Sequence, residues 1–323
     1  MKKILFILLI LILPFFPLFS DSIDLLLSNA VENIENNISE NLIIGIGNIV
    51  YSDKEIGSEF SHFLKEKLSI AIQRSERFEL SDTDNLDLIK EQWDFQHSGF
   101  VDEDQAVRIG ELDAVQALLL GNYFDNESTI NIFLKLVDVE TGSVLAAEEI
   151  VISKRDIHVS VIPDNYNNAL YIIDELSEVS NTNSSQPIVN AWIEKGNGAT
   201  YENGENLFVN FYSVTGCYIK VYHIDVNGQT QLIFPNSYYS NNFINANIIY
   251  SIPDGRYPFK FSLGEPFGTE FIKVIASPVQ FAEIEESFSN LGNASQNLLF
   301  RGLTVEQTQG ELTEILLNYT IIE

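Results

Sequence analysis

Cys217-Tyr-Ile-Lys-Val-Tyr-His-Ile-Asp-Val-Asn-Gly-Gln-Thr-Gln-Leu-Ile-Phe-Pro235 is the stretch whose reading decides the fold. Tyr218 to Ile224 is rich in β-branched and aromatic residues, Gln229 to Phe234 returns with similar composition, and Pro235 ends the run. With Asp225-Val-Asn-Gly228 between the two arms, this is a β-hairpin. Asn227-Gly228 supplies the residues that accept positive φ at least cost, as a type I′ turn demands. Such a turn sets Val221 opposite Phe234 and Tyr222 opposite Ile233, so Ile219, Val221, Leu232 and Phe234 are expected to share one buried face.

Around the hairpin lie further strand candidates: Ile188 to Ile193, Leu207 to Tyr212, Tyr257 to Phe261 and Glu270 to Ala276. Gly, Asn and Pro separate them at the intervals of a sandwich or small barrel, so residues 188–280 read as a β-rich C-terminal domain. Residues 281–323 read as a helix followed by a final strand from Leu312 to Ile322. On the N-terminal side, Asn181-Thr-Asn-Ser-Ser-Gln-Pro187 has linker composition.

Residues 41–180 alternate differently. Leu42 to Val50 is a nearly continuous apolar run of strand length, and Ile56, Phe60, Phe63, Leu64, Leu68, Ala71 and Ile72 then recur at helical spacing. A short strand at Arg77 to Leu80, helices near Asp82 to Trp93 and Asp102 to Leu112, and three strands at Val115 to Phe124, Thr129 to Val139 and Ser143 to Ile152 complete an α+β domain with a mixed sheet. A helix follows between Asn167 and Val179, and an amphipathic helix in residues 21–40 precedes the domain.

Lys2, Lys3, the apolar run from Ile4 to Leu13 and Leu18-Phe-Ser20 before Asp21 make residues 1–20 a secretion signal. The expected address is therefore export, to the periplasm or the outer membrane, with no transmembrane span after the signal. The 323 residues carry a formal net charge of -28, a field that repels phosphate backbones, so nucleic acid is excluded as a partner. Cys217 is the only cysteine, which rules out an internal disulfide and makes it a small strand residue.

The residues that carry chemistry are scattered. His62, His97, His158 and His223 form no i, i+4 pair and no HExxH, and no GxSxG elbow is present. Gly45-Ile-Gly47 lacks the third glycine of a dinucleotide loop, because position 50 is valine. Acidic clusters at Asp82 to Asp87 and Asp102 to Asp104 fall at expected helix starts, where carboxylates favour the dipole. No catalytic group, metal site or cofactor is expected. Asn236-Ser-Tyr-Tyr-Ser-Asn-Asn-Phe243 is the candidate binding surface, with Tyr238, Tyr239, Asn241, Asn242 and Phe243 suited to stacking and hydrogen bonding on a sugar or a partner protein.

Two resemblances extend this reading. Arg74-Ser-Glu-Arg-Phe-Glu-Leu80, Leu88-Ile-Lys-Glu-Gln92, Ala106-Val-Arg-Ile-Gly110, Leu118-Leu-Leu-Gly121 and Leu136-Val-Asp-Val-Glu-Thr-Gly-Ser-Val-Leu145 resemble the curli-assembly (CsgG-type) superfamily. That superfamily includes the periplasmic module of the curli secretion channel, a penicillin-binding-protein activator and flagellar outer-membrane proteins. The chain departs from the channel proteins in having no anchor cysteine and no pair of barrel-forming hairpins, so a secretion pore is not implied.

Tyr201, Gly204, Tyr218-Ile-Lys-Val-Tyr222, Gly228, Leu232-Ile-Phe-Pro-Asn236, Asn242, Ile244, Ile252-Pro253, Gly268-Thr-Glu270 and Ile275-Ala-Ser-Pro278 are similar to a family known as domain of unknown function 4384. It implies an exported β-rich accessory domain and brings no catalytic residues. Together the resemblances imply a non-enzymatic envelope protein whose partners are envelope proteins or a second copy of the chain. Peptidoglycan or another glycan, held by the Tyr238–Phe243 loop, is the alternative, followed by a hydrolase and then a secretion-channel subunit.

Overall fold

A computed structural model describes residues 23–81, 115–179, 189–281, 287–288 and 313–323. The secretion signal, the linker, the two helices expected between Asp82 and Leu112 and most of the helix expected after Phe281 lie outside the described residues.

The first half is α+β. Strand β1 (Leu42–Tyr51) lies parallel between β2 (Phe78–Leu80) and β3 (Ala117–Asp125), and β4 (Thr129–Asp138) and β5 (Val144–Ser153) extend the sheet antiparallel in the order β2-β1-β3-β4-β5. Helices α1 (Ile23–Asn36) and α2 (Glu59–Ile72) pack on each other and cover one face. Their Leu27, Ile34, Phe60, Leu64 and Leu68 meet Ile44, Leu119, Ile132 and Leu134 in one core. Ser58 starts α2 with a capping box, accepting from the N–H groups of Phe60 and Ser61. Its hydroxyl also meets the buried phenol of Tyr123, which donates to Val161 O at 3.1 Å. A bulge between Ile46 and Ile49 interrupts β1 and lets Asn48 reach out of an otherwise apolar strand.

The second half is a β-sandwich, one of the two architectures expected. Its larger sheet runs β16-β11-β10-β15-β17-β7, with β12 (Phe243–Ile244) also on β10. The members are β7 (Ala199–Glu202), β10 (Cys217–Ile224), β11 (Thr230–Phe234), β15 (Gly268–Ser277), β16 (Ser287–Phe288) and β17 (Thr313–Ile322). The smaller sheet runs β13 (Tyr250–Ile252), β9 (Val209–Ser213), β6 (Val189–Ile193), and β8 (Asn206–Leu207) pairs with β14 (Phe261–Ser262). Val189, Ile193, Val209 and Phe211 from the small sheet meet Ile219, Val221, Val274 and Leu317 from the large one. The C-terminal tail therefore completes this second half: β17 pairs antiparallel with β15 from Gly268–Ile321 to Ala276–Thr313, and parallel with β7.

Four expectations are corrected. The hairpin turn is not type I′: only Gly228 has positive φ (80°), and Asp225 Oδ1 accepts from the N–H groups of Asn227 and Gln229. This is the longer turn in which a type I bend is followed by one glycine in the left-handed region. Val221 does face Phe234, but a bulge then pairs Tyr222 with Leu232 rather than with Ile233. The extra residue turns Leu232 to the opposite face, where it packs with Tyr222, Ile275 and Phe281. Only Phe261 of the expected Tyr257–Phe261 strand is in a ladder, because its ring-rich run stacks on other rings instead. Ser287–Phe288 is a short strand on β11 where a helix was expected.

Helix α3 (Tyr166–Val179) lies on the outer face of the large sheet, with Ala169, Ile172 and Leu176 against Ile224 and Phe271, and Ile56 of the first half joins this cluster. A polar seam runs beside it. Asn48 Nδ2 donates to Lys195 O at 3.1 Å and Asn197 O at 3.0 Å, Asn197 Nδ2 donates to Glu55 Oε2 at 2.9 Å, and Thr320 Oγ1 donates to Gly57 O at 3.0 Å. No helix among the described residues is long and apolar enough to cross a membrane.

Candidate functional site

The loop that leaves β11 is shaped by its own amides. Asn236 Oδ1 accepts from the N–H groups of Tyr238 at 2.9 Å and Tyr239 at 3.1 Å, while Asn236 Nδ2 donates to Ile233 O at 2.9 Å. This turn splits the two tyrosines. Tyr239 folds down to stack on core Phe234 at 6.2 Å and meets Tyr257 edge-on at 4.7 Å. Tyr238 is 69% exposed and leans over Phe259 at 6.4 Å. The rings of Tyr257, Phe259 and Phe261 continue the series at 5.5 and 5.4 Å, so an aromatic strip runs across the end of the sandwich. Burial, reinforced by Tyr239, pushes the Tyr257 hydroxyl up to about 12.

The other three loop residues do not join the strip. Asn242 is buried: its Nδ2 donates to Ile219 O at 2.9 Å and its carbonyl accepts from Ile219 N–H, which pins the loop to β10. Asn241 is exposed and accepts from Phe243 N–H at 3.2 Å. Phe243 meets Tyr218 edge-on at 5.0 Å instead of either tyrosine.

The strip leads to a cleft. Phe261 is shared between the two, and with Leu207, Ile233, Leu263, Ile272 and Ile321 it makes apolar walls around a space of ≈ 730 Å³, within the range of small-molecule sites. Among the polar side chains that line it, three meet one another: His223 of β10, Glu270 of β15 and Tyr319 of β17. Register explains their meeting. Glu270 and Tyr319 are direct cross-strand partners, and His223, paired with Ile272, lies diagonally from Glu270. His223 Nε2 lies 2.8 Å from Glu270 Oε2, and Tyr319 OH donates to the same oxygen at 2.8 Å. Burial, with the Glu270 charge beside it, holds the Tyr319 phenol well above its ordinary range, so it stays a donor.

Other candidates for chemistry are occupied structurally. Burial pushes up the thiol of Cys217, which sits in the sandwich core. His62 lies 3.6 Å from Glu202. Among the described residues no group of three or more His, Cys, Asp or Glu side chains could hold a metal ion.

His223 lies on the face of Val221, two positions along β10, but sequence reasoning missed the cluster it joins. Glu270 and Tyr319 meet only through the pairing of β15 with β17, and the sequence left the partner of that last strand open. The signal that could have found it is a charged or polar residue at an inward-facing strand position, as Glu270 is between Gly268 and Ile272.

The domain of unknown function DUF4384 matches residues 200–280, a span that holds the aromatic strip, His223 and Glu270 and ends before Tyr319. The curli-assembly resemblance of the first half rests on its motifs alone. No curated protein sequence matches the chain. Among solved structures, the LpoB C-terminal domain from Salmonella enterica is 16% identical, covering 39% of this chain and 94% of its own, with a TM-score of 0.30. The LpoB C-terminal domain from Escherichia coli is 15% identical over 39% and 98%, with a TM-score of 0.29. A lipoprotein from Neisseria meningitidis is 10% identical over 44% and 99%, with a TM-score of 0.24.

Proposed function

We propose that this chain is an exported, non-enzymatic binding protein of the cell envelope, periplasmic or associated with the outer membrane. Its first half is a curli-assembly-like module, and its second half presents the contact surface for an envelope protein or a second copy of the chain. The carrying observation is the aromatic strip, on which exposed Tyr238 stands over Phe259, the ring next to the Phe261 that lines an open cleft. Rings of this kind give large contact area at low entropic cost. The signal-like Met1–Ser20 supports export.

The test is photo-crosslinking in the native envelope from position 238, with the Tyr171 position on α3, which is also exposed, as control. A discrete adduct from position 238 and none from position 171 is expected. No adduct from 238 together with a monomeric mature protein sinks the reading.

A glycan, peptidoglycan included, is the second reading, favoured by the exposed Tyr238 ring over Phe259 in a series of stacked rings. Cosedimentation with purified sacculi that is lost in a Tyr238→Ala, Phe259→Ala double variant supports it, and cosedimentation that persists there removes it.

A further inference from the structure

Glu270 uses only half of its acceptor capacity. The residue is 5% exposed, and both of its donors, His223 Nε2 and Tyr319 OH, converge on Oε2 at 2.8 Å. Oε1 has no hydrogen-bond partner among the described residues and is not sealed from the cleft. Oε1 opens on the cleft with both lone pairs unused by the described residues, so it is the position at which a donor arriving from outside would be held.

What the donor looks like follows from the walls. Leu207, Ile233, Phe261, Leu263, Ile272 and Ile321 give an apolar stem a surface to pack on, and the carboxylates of Asp225, Glu265 and Glu270 outnumber the one lysine of the lining, Lys260. The charge of -28 over the whole chain raises the local concentration of cations further. A guanidinium is best held by both oxygens of a carboxylate in a fork, but Oε2 is already taken twice. One free oxygen matches the point charge of an ammonium.

We propose that the cleft binds a primary ammonium on a short apolar stem, such as a lysine side chain or a free diamine, with Glu270 as counter-ion and His223 and Tyr319 as positioning residues. This rests on the reading of the second half as a binding module and names the chemistry its cleft accepts.

The experiment titrates the full-length mature protein with Nα-acetyl-lysine amide, 1,5-diaminopentane and the uncharged norleucine analogue, reading binding by calorimetry and by NMR. Both amines are expected to bind, the norleucine analogue roughly ten-fold or more weaker. Preference between the amines distinguishes a peptide source from a free one. Glu270→Gln should weaken amine binding roughly ten- to hundred-fold, with its melting curve showing that it folds. Ser262→Lys, at an exposed position on the lining, gives a second variant in which a built-in ammonium should block the site. Equal binding of lysine and norleucine analogues, undiminished binding by a folded Glu270→Gln, or no amine binding at millimolar concentration overturns the proposal. A crosslink from position 238 that survives in Glu270→Gln leaves the binding-module reading standing when the ammonium idea fails; absence of that crosslink in the unmodified protein is the failure of the reading itself.

Discussion

Gly57→Ala should unlock the two halves of the molecule. A Cβ at position 57 would lie 2.6 Å from Gly198 O and 2.9 Å from Thr200 Cγ2, and the backbone oxygen cannot rotate aside as a side chain would. Gly198 is no better placed to yield, since its φ is 79° and it already packs against the carbonyl of Glu55. Overpacking of this kind costs about 1–3 kcal/mol. Opening the seam also loses the bonds from Thr320 Oγ1 to Gly57 O and from Asn197 Nδ2 to Glu55 Oε2, at about 1 kcal/mol each. The sum is roughly 3–5 kcal/mol, which at about 2–4 °C per kcal/mol lowers the melting temperature by roughly 6–20 °C. Gly255→Ala is the control, because a Cβ there meets nothing within 4 Å. Scanning calorimetry should show one transition in the parent and in Gly255→Ala, and an early or divided transition in Gly57→Ala. If Gly57→Ala melts with the control, the seam contributes nothing and the halves are independent modules.

Tyr238→Ala should change stability by about 0.5 kcal/mol or less in urea unfolding, since the ring is mostly solvated. Tyr239→Ala removes a ring stacked on Phe234 and Tyr257 and should cost about 1–3 kcal/mol in urea unfolding. Glu314→Gln strands Lys273, which is 2.7 Å from the Glu314 carboxylate and almost fully buried, and should cost about 3–5 kcal/mol. Replacing both by Met and Leu should restore most of it, because burial already opposes the Lys273 charge and holds its ammonium below the usual lysine range. Phenolate absorbance should show Tyr257 ionising near 12 and Tyr319 and Tyr123 only on unfolding. Because folding raises the Tyr257 value, its contribution is complete below the ordinary phenol pKa of about 10 and declines as pH rises from there to about 12. A folded protein whose phenols all titrate together near the ordinary value contradicts this.

Local pattern carried the elements well and the cross-strand geometry less well. Tyr218 to Ile224 and Gln229 to Phe234 announce themselves by composition, and β10 and β11 lie there. The single-residue bulge after Val221 leaves no mark in composition, yet it moves Leu232 from one face to the other. Tyr257 to Phe261 has the residue types of a strand, but Tyr239 and Tyr238 arrive from a distant loop to stack on it, a tertiary event that propensity does not encode. Asn242 looked like a surface amide and is consumed by the backbone of Ile219. The cleft was the least legible feature, since the cluster of His223, Glu270 and Tyr319 in it comes from three strands, and His223 and Tyr319 lie 96 positions apart.

The last strand explains why seam and cleft belong to one design. Residues on a strand alternate faces, so three successive side chains of β17 serve two neighbours at once. Tyr319 points into the sandwich and holds Glu270 from the cleft side. On either side of it, Asn318 N–H donates to Asn197 Oδ1 at 2.7 Å, and Thr320 bonds both Thr269 Oγ1 and Gly57 O at 3.0 Å. Glu270 follows Thr269, whose N–H and C=O are both taken by Asn165 at 2.7 and 2.8 Å, just before α3 begins. The two strands that supply the carboxylate and the phenol are thus each tied, one residue away, to the first half of the chain or to the helix that leads out of it. A ligand that displaces Tyr319 or Glu270 must strain those ties, so the first half acts on the cleft as a brace, and loosening the seam should soften the site before it unfolds the sandwich.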